Sequence, residues 1–249
     1  MGFCLGWGVM FLTKVSLLDH PESLPGYLSS LAIVEYLHEQ PLEFRAPITV
    51  ITGENGVGKS TLVEALAVGM RLNPSGGSRH ANFGREGDIV SSLHQSLKLV
   101  RRENPRDAFF FRGETMYNVA SYYEELMGEK NMHDLHKMSH GESVFAVIDR
   151  RFHNQGFFVL DEPEAGLSML RQLELLGKLG NLTRGGAQII MATHSPILLA
   201  IPGAEILEIT SSGVAKVNFE EAGAVRAARE FVEDPRGTAA FLTAEEDHQ

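Results

Sequence analysis

Residues 53 to 61 read Gly53-Glu54-Asn55-Gly56-Val57-Gly58-Lys59-Ser60-Thr61: a glycine, four residues, then Gly-Lys-Ser. That order of residue types suits the grip of a triphosphate. Glycines let a backbone adopt dihedrals that a side chain forbids. The loop N–H groups and the start of a following helix can then point at an anion. In such a loop Lys59 reaches the β- and γ-phosphates, and the Ser60 hydroxyl holds Mg²⁺. All nine positions are candidate nucleotide-binding residues, and Lys59 is a candidate catalytic residue as well. The bland alternative is a glycine-rich turn that binds nothing.

Three further clusters could do chemistry. Phe157-Phe158-Val159-Leu160 runs into Asp161-Glu162-Pro163. A buried strand ending in an acid is one way to hold Mg²⁺, which makes Asp161 a candidate metal ligand. Glu162 follows and should point elsewhere if the strand continues, because side chains alternate in strands. It is the candidate to orient or deprotonate an attacking water. Thr193-His194-Ser195-Pro196 follows the apolar run Ile189 to Ala192. The carboxyl end of a parallel strand is where α/β sheets bind ligands, so His194 is a candidate γ-phosphate contact. Ser139-His140-Gly141-Glu142 reads as a helix capping box, with Ser139 at the N-cap. The same geometry offers a hydroxyl and free N–H groups to an anion, which makes Ser139 and Gly141 candidate nucleotide contacts.

The elements around these clusters alternate between strand and helix, which argues for an α/β domain with a largely parallel sheet. Strands are predicted at Phe11–Leu17, Leu42–Phe44, Ile48–Thr52, Leu93–Val100, Ala108–Phe111, Phe157–Leu160, Gln188–Ala192, Ile206–Ile209 and Val214–Val217. Helices are predicted at Lys59–Arg71, Met116–Met127, Gly141–Phe152 and Leu167–Leu182, with a loop at Asn73–Gly87 and a frayed tail from Glu245 to Gln249. The spacing of His133, His136 and His140 could converge on a metal, but no cysteine or acidic cluster joins them.

Composition narrows the classes. The 249 residues are 43% hydrophobic, enough to bury a sizeable core. The net charge of −10 argues against non-specific attraction to nucleic acid or anionic membrane, although a local basic patch could still bind DNA. Cys4 is the single cysteine, so no intrachain disulfide can form and a reducing, cytoplasmic setting is expected. The apolar stretch from Met1 to Leu18 lacks a basic start and is interrupted by Lys14, so it reads as a first strand rather than a signal peptide. Met10 could be the true start. No run approaches membrane-span length, so no direct membrane insertion is expected.

Taken together, the motifs resemble the ABC-type ATPases over roughly residues 40 to 210. Gly53 to Thr61, Ser139 to Glu142, Leu160 to Pro163, Glu164 to Ser168 and His194 occupy the places of phosphate loop, signature, acidic strand, dimer-facing loop and switch histidine. The likeness implies one ABC-type ATPase domain over residues 1–249, with a small helical signature subdomain at about 113–150 and an N-terminal antiparallel β portion. It also implies ATP and Mg²⁺ as ligands and an ATP-dependent homodimer, in which Ser139 and Gly141 of one copy contact the γ-phosphate held by Lys59 of the other.

His140 stands where the signature has its first glycine, Glu142 where transporters have glutamine, and Arg112-Gly113-Glu114 follows the Phe109 to Phe111 strand where a glutamine loop is expected. Gln95 is the other candidate for that glutamine. Glu162 to Ser168, together with Phe111-Arg112-Gly113-Glu114, Asn118-Val119-Ala120 and Ser139 to Ser143, is similar to the small stand-alone bacterial ATPases of the AAA-family type. Those belong to the RecF- and SMC-like, non-transporter branch. About eighty residues between Lys59 and Ser139 leave no room for coiled-coil arms. This implies an ATP-driven switch acting on DNA or a protein partner. The alternative is the ATP-binding subunit of an ABC transporter.

Overall fold

The computed structural model describes residues 10–78, 90–113 and 140–244. Its central strands are the apolar runs. β3 (Ile48–Gly53), β7 (Gly156–Asp161) and β8 (Gln188–Ala192) are buried almost throughout. Such runs, rather than an alternating pattern, are what a sheet covered on both faces requires. With β6 (Asp107–Arg112) and β9 (Glu205–Thr210) they form a parallel core, in the order β9-β3-β8-β7-β6. Two antiparallel edge strands complete a seven-stranded sheet: β10 (Gly213–Val217) beside β9, and β4 (Gly77–Ser78) beside β6.

Side chains alternate between two cores. Phe109, Phe111, Phe158, Leu160, Ile189 and Met191 face one side, under α4 (His140–Arg151), α5 (Met169–Arg184), α6 (Pro196–Leu199) and α7 (Gly223–Glu233). Phe110, Phe157, Val159, Ile190 and Ile51 face the other. There they meet Leu62, Val63 and Leu66 of α3 (Lys59–Gly69) and Ile33, Val34 and Leu37 of α2 (Ala32–Glu39). Each fully buried phenylalanine contributes about 2 kcal/mol. A second, antiparallel sheet closes this side, with β1 (Leu12–Leu17) between β2 (Leu42–Glu43) and β5 (Leu97–Arg101). A parallel P-loop core with a small antiparallel sheet is the architecture expected of an ABC-type ATPase. α1 (Gly26–Ser29) and α8 (Pro235–Thr243) complete the described helices.

Three expectations are corrected. The strand predicted at Leu93–Val100 begins only at Leu97, because a 3₁₀ turn occupies residues 92–96. The Ser91 hydroxyl accepts the Leu93 N–H at 3.2 Å and the Glu64 carboxylate accepts the Ser91 N–H at 2.8 Å, which fixes the turn. Gln95 is exposed in that turn and not in a strand. The helix predicted from Leu167 starts at Met169, since the Ser168 side chain caps it by accepting the Arg171 N–H. Five described helices, α1, α2, α6, α7 and α8, have no counterpart among the predicted elements. The helix predicted at Met116–Met127, most of the 113–150 subdomain, Ser139, and the side chains of His133, His136 and His140 lie outside the described residues. Among the described residues no helix is long and apolar enough to cross a membrane, and no group of three or more histidine, cysteine or acidic side chains could hold a metal.

Candidate active site

The phosphate loop is built by three glycines in left-handed backbone, Gly53 at φ 134°, Gly56 at 81° and Gly58 at 96°. Gly53 has a second reason to be glycine: a β-carbon there would fall 1.9 Å from the carbonyl oxygen of Ile209 on β9. Gly58 is the N-cap of α3, whose first turn carries no acidic residue. The helix therefore presents its N–H groups without a built-in counter-anion. Lys59 opens the helix and is only 5% exposed. Its Nζ donates to the carbonyls of Gly53 at 3.0 Å and Glu54 at 2.6 Å. An ammonium has three donors, which leaves one for a phosphate oxygen. Burial pushes the Lys59 ammonium below its usual range, while Glu162, Asp161 and Glu164 pull it back up.

β7 delivers the acids. Asp161, its last residue, is 5% exposed. Glu162 does not continue the strand alternation, because its φ of 47° turns the chain. A non-glycine residue there costs about 1–3 kcal/mol and has to be held. The Glu162 N–H donates to Ala192 at 3.0 Å, and its carbonyl accepts the Ala165 N–H at 3.0 Å. Gly113 packs so close behind that a β-carbon would fall 2.4 Å from the Glu162 carbonyl oxygen. This strained turn aims the Glu162 carboxylate at His194, with Oε1 3.6 Å from Nε2. That gap exceeds a hydrogen bond and leaves both groups open to a third species.

His194 follows β8, and its loop is tied to the acidic turn by Glu164. One Glu164 oxygen accepts the Thr193 hydroxyl at 2.6 Å and the His194 N–H at 2.8 Å. The fully buried Thr193 hydroxyl in turn accepts the Ser195 N–H at 2.9 Å. The Ser195 hydroxyl donates to Gln172 on α5 at 2.7 Å.

Asn55, Gly56, Gly58, Lys59, Ser60, Thr61, Glu162 and His194 line one cleft of about 340 Å³. Two further residues line it, Tyr27 on α1 and Leu31 before α2. The sequence reading missed both, since neither belongs to a motif. The available signal was an aromatic between two turn-forming segments, and Tyr27 is 59% exposed.

Two AAA family profiles match the chain. "AAA domain" covers residues 31–132, and "AAA domain, putative AbiEii toxin, Type IV TA system" covers residues 91–200. The chain is 27% identical over 166 residues to the zinc import ATP-binding protein ZnuC of Vibrio cholerae, covering 64% of this chain and 62% of that protein. The match thus spans less than two thirds of the zinc-import protein. It is 30% identical over 168 residues to the cytochrome c biogenesis ATP-binding export protein CcmA of Mesorhizobium japonicum, covering 63% of this chain and 82% of that one. This chain belongs to the ABC-type P-loop ATPases. The SMC head domain from Thermotoga maritima is similar at 16% identity with a TM-score of 0.46, over 84% of this chain and 98% of that one.

For an ABC-type ATPase the fit of nucleotide and metal can be tested on this geometry. The glycine cradle and uncapped helix start fit an oligophosphate. The Ser60 hydroxyl and the Asp161 carboxylate are the hard oxygen donors that Mg²⁺ takes alongside phosphate. The Val57 side chain packs against the α3-side core, leaving only its backbone for a phosphate. Gly141, near the start of α4, backs onto Leu167, whose Cδ2 would lie 3.4 Å from a β-carbon, and does not line the cleft.

Proposed function

We propose that this ABC-type ATPase hydrolyses Mg²⁺-bound ATP in the cleft between the phosphate loop and the Glu162–His194 pair. The observation that carries the reading is the convergence of Lys59, Glu162 and His194, from three separate strand ends, on one cleft. Lys59 and the loop N–H groups bind the β- and γ-phosphates, and Tyr27 stacks on the adenine at the rim. Ser60 and Asp161 would hold Mg²⁺, which would supply charge neutralisation at the phosphates. Glu162 accepts a proton from the attacking water, and His194 orients the γ-phosphate. Ser139 and Gly141 of a second copy close the site, so that ATP bridges two protomers. This role is supported by the placing of Gly141 away from the chain's own cleft.

The coupled partner is read from the relatives. Zinc import and cytochrome c biogenesis export are the named roles of ATP-binding proteins to which this chain is similar. They support an ATP-binding subunit that works on a separate membrane protein. A second reading, a switch acting on DNA or a soluble protein, is supported by Arg112-Gly113 at the end of β6, where transporter subunits carry a glutamine loop. The small stand-alone ATPases of the RecF- and SMC-like branch share that pattern.

Light scattering of Glu162→Gln with Mg²⁺-ATP tests the shared mechanism. A dimer with ATP retained is expected, and a strict monomer with ATP shown to be bound overturns the composite site. ATPase rate with and without single- and double-stranded DNA separates the partners. A large stimulation favours the switch, and none, with co-purification of a membrane protein, favours the transporter subunit.

A further inference from the structure

Arg112, the last residue of β6, lies in register beside Asp161, the last residue of β7. Its guanidinium is held unequally. The NH1 group donates to Glu64 Oε2 of α3 at 2.9 Å, a full charge-assisted hydrogen bond to a carboxylate only 8% exposed. The Nε group lies 3.7 Å from Asp161 Oδ2, beyond hydrogen-bond reach. Nε is also buried without a hydrogen-bond partner among the described residues. Glu64 is itself anchored, because its other oxygen accepts the Ser91 N–H at 2.8 Å. The cation is therefore moored to the phosphate-loop helix and leans on Asp161 without being bonded to it.

We propose that Arg112 is a resident counter-charge for Asp161, fixed in place by Glu64, which competes with a divalent cation and so sets the metal affinity of the site. This rests on Asp161 being the metal ligand proposed above. A unit charge held within about 4 Å of a carboxylate in a partly buried site satisfies part of the field that would attract a metal. It also repels a divalent ion directly. The triphosphate of a nucleotide brings enough negative charge to offset that repulsion. Metal would then enter well only together with nucleotide, and Arg112 would stay with Glu64 while Asp161 turned to the ion. A residue that acts this way is a positioning residue, and its mark is metal affinity.

The experiment is Mn²⁺ binding to the nucleotide-free full chain, followed by electron paramagnetic resonance of the free ion. Arg112→Gln is expected to tighten Mn²⁺ about tenfold, because the competing charge is gone. Glu64→Gln is expected to weaken it several-fold, because Arg112 is released to pair with Asp161 alone. Arg112→Lys keeps the charge and should remain within about threefold of the native chain, and it carries the test with Glu64→Gln if Arg112→Gln fails to fold. With a non-hydrolysable ATP analogue bound, the spread between variants should shrink. A purely structural role for Arg112 would weaken binding in both Arg112→Gln and Glu64→Gln, and shifts of the same sign overturn the proposal. Asp161→Asn should abolish Mn²⁺ binding. Retained binding there overturns the metal site itself, whereas loss there without opposite shifts in the other two overturns only the role of Arg112.

Discussion

The side-chain amide of Gln188 on β8 donates to the carbonyl of Leu12 on β1 at 2.7 Å and accepts the Leu12 N–H at 2.9 Å. It also accepts the Phe11 N–H at 2.8 Å. One buried side chain thus stitches the small antiparallel sheet to the central one across about 176 residues of sequence. Gln188→Leu removes all three bonds and leaves three backbone groups buried without partners. A loss of about 3 kcal/mol is expected, at roughly 1–3 kcal/mol per unsatisfied group with partial relief. Urea unfolding measures it, and a loss under about 1 kcal/mol would show that the two sheets hold together without this link.

Lys59→Ala should abolish ATP binding by calorimetry while the fold survives. Among the described residues the native ammonium bonds to the carbonyls of Gly53 and Glu54, both next to solvent-facing loop, so its removal strands little. Unchanged ATP affinity would remove Lys59 from the phosphate site.

Tyr27→Ala should raise the Kd for ATP about tenfold, the cost of losing one stacked base. Binding of inorganic tripolyphosphate should not change, because the ring touches no phosphate. Equal weakening of both ligands would mean that Tyr27 shapes the loop instead of holding the base.

Thr193→Val should lower turnover several-fold at unchanged ATP affinity. The hydroxyl donates to Glu164 and accepts from Ser195, and both bonds lie behind His194 rather than in front of it. Initial rates against ATP concentration would separate kcat from KM. A change confined to KM would place Thr193 on the substrate.

Much of the site was legible because its chemistry is local in sequence. Gly53 to Thr61 and Asp161-Glu162 are contiguous, and a strand–loop–helix context is visible in hydrophobic pattern alone. What could not be read was distance across the sheet. Nothing in the local sequence announces that Glu164 accepts from Thr193, or that Arg112 and Glu64 meet. The direction of the Glu162 side chain was also hidden, because strand alternation fails where the backbone turns left-handed. The β5 boundary was misplaced because Ser91 and Glu64, 27 positions apart, cap a turn inside an alternating run. The helices α7 and α8 left a readable trace in Pro235 at the first turn of α8, after an Asp234 N-cap whose carboxylate accepts the Gly237 N–H at 2.9 Å.

The Glu164 carboxylate, joined to both Thr193 and His194, ties the turn after β7 to the loop after β8. On the proposed roles of Glu162 and His194, water activation and recognition of the terminal phosphate would then be mechanically coupled. A substitution at position 164 would then disturb both at once. A fluorescent reporter on either loop would register the same motion with the same time constant.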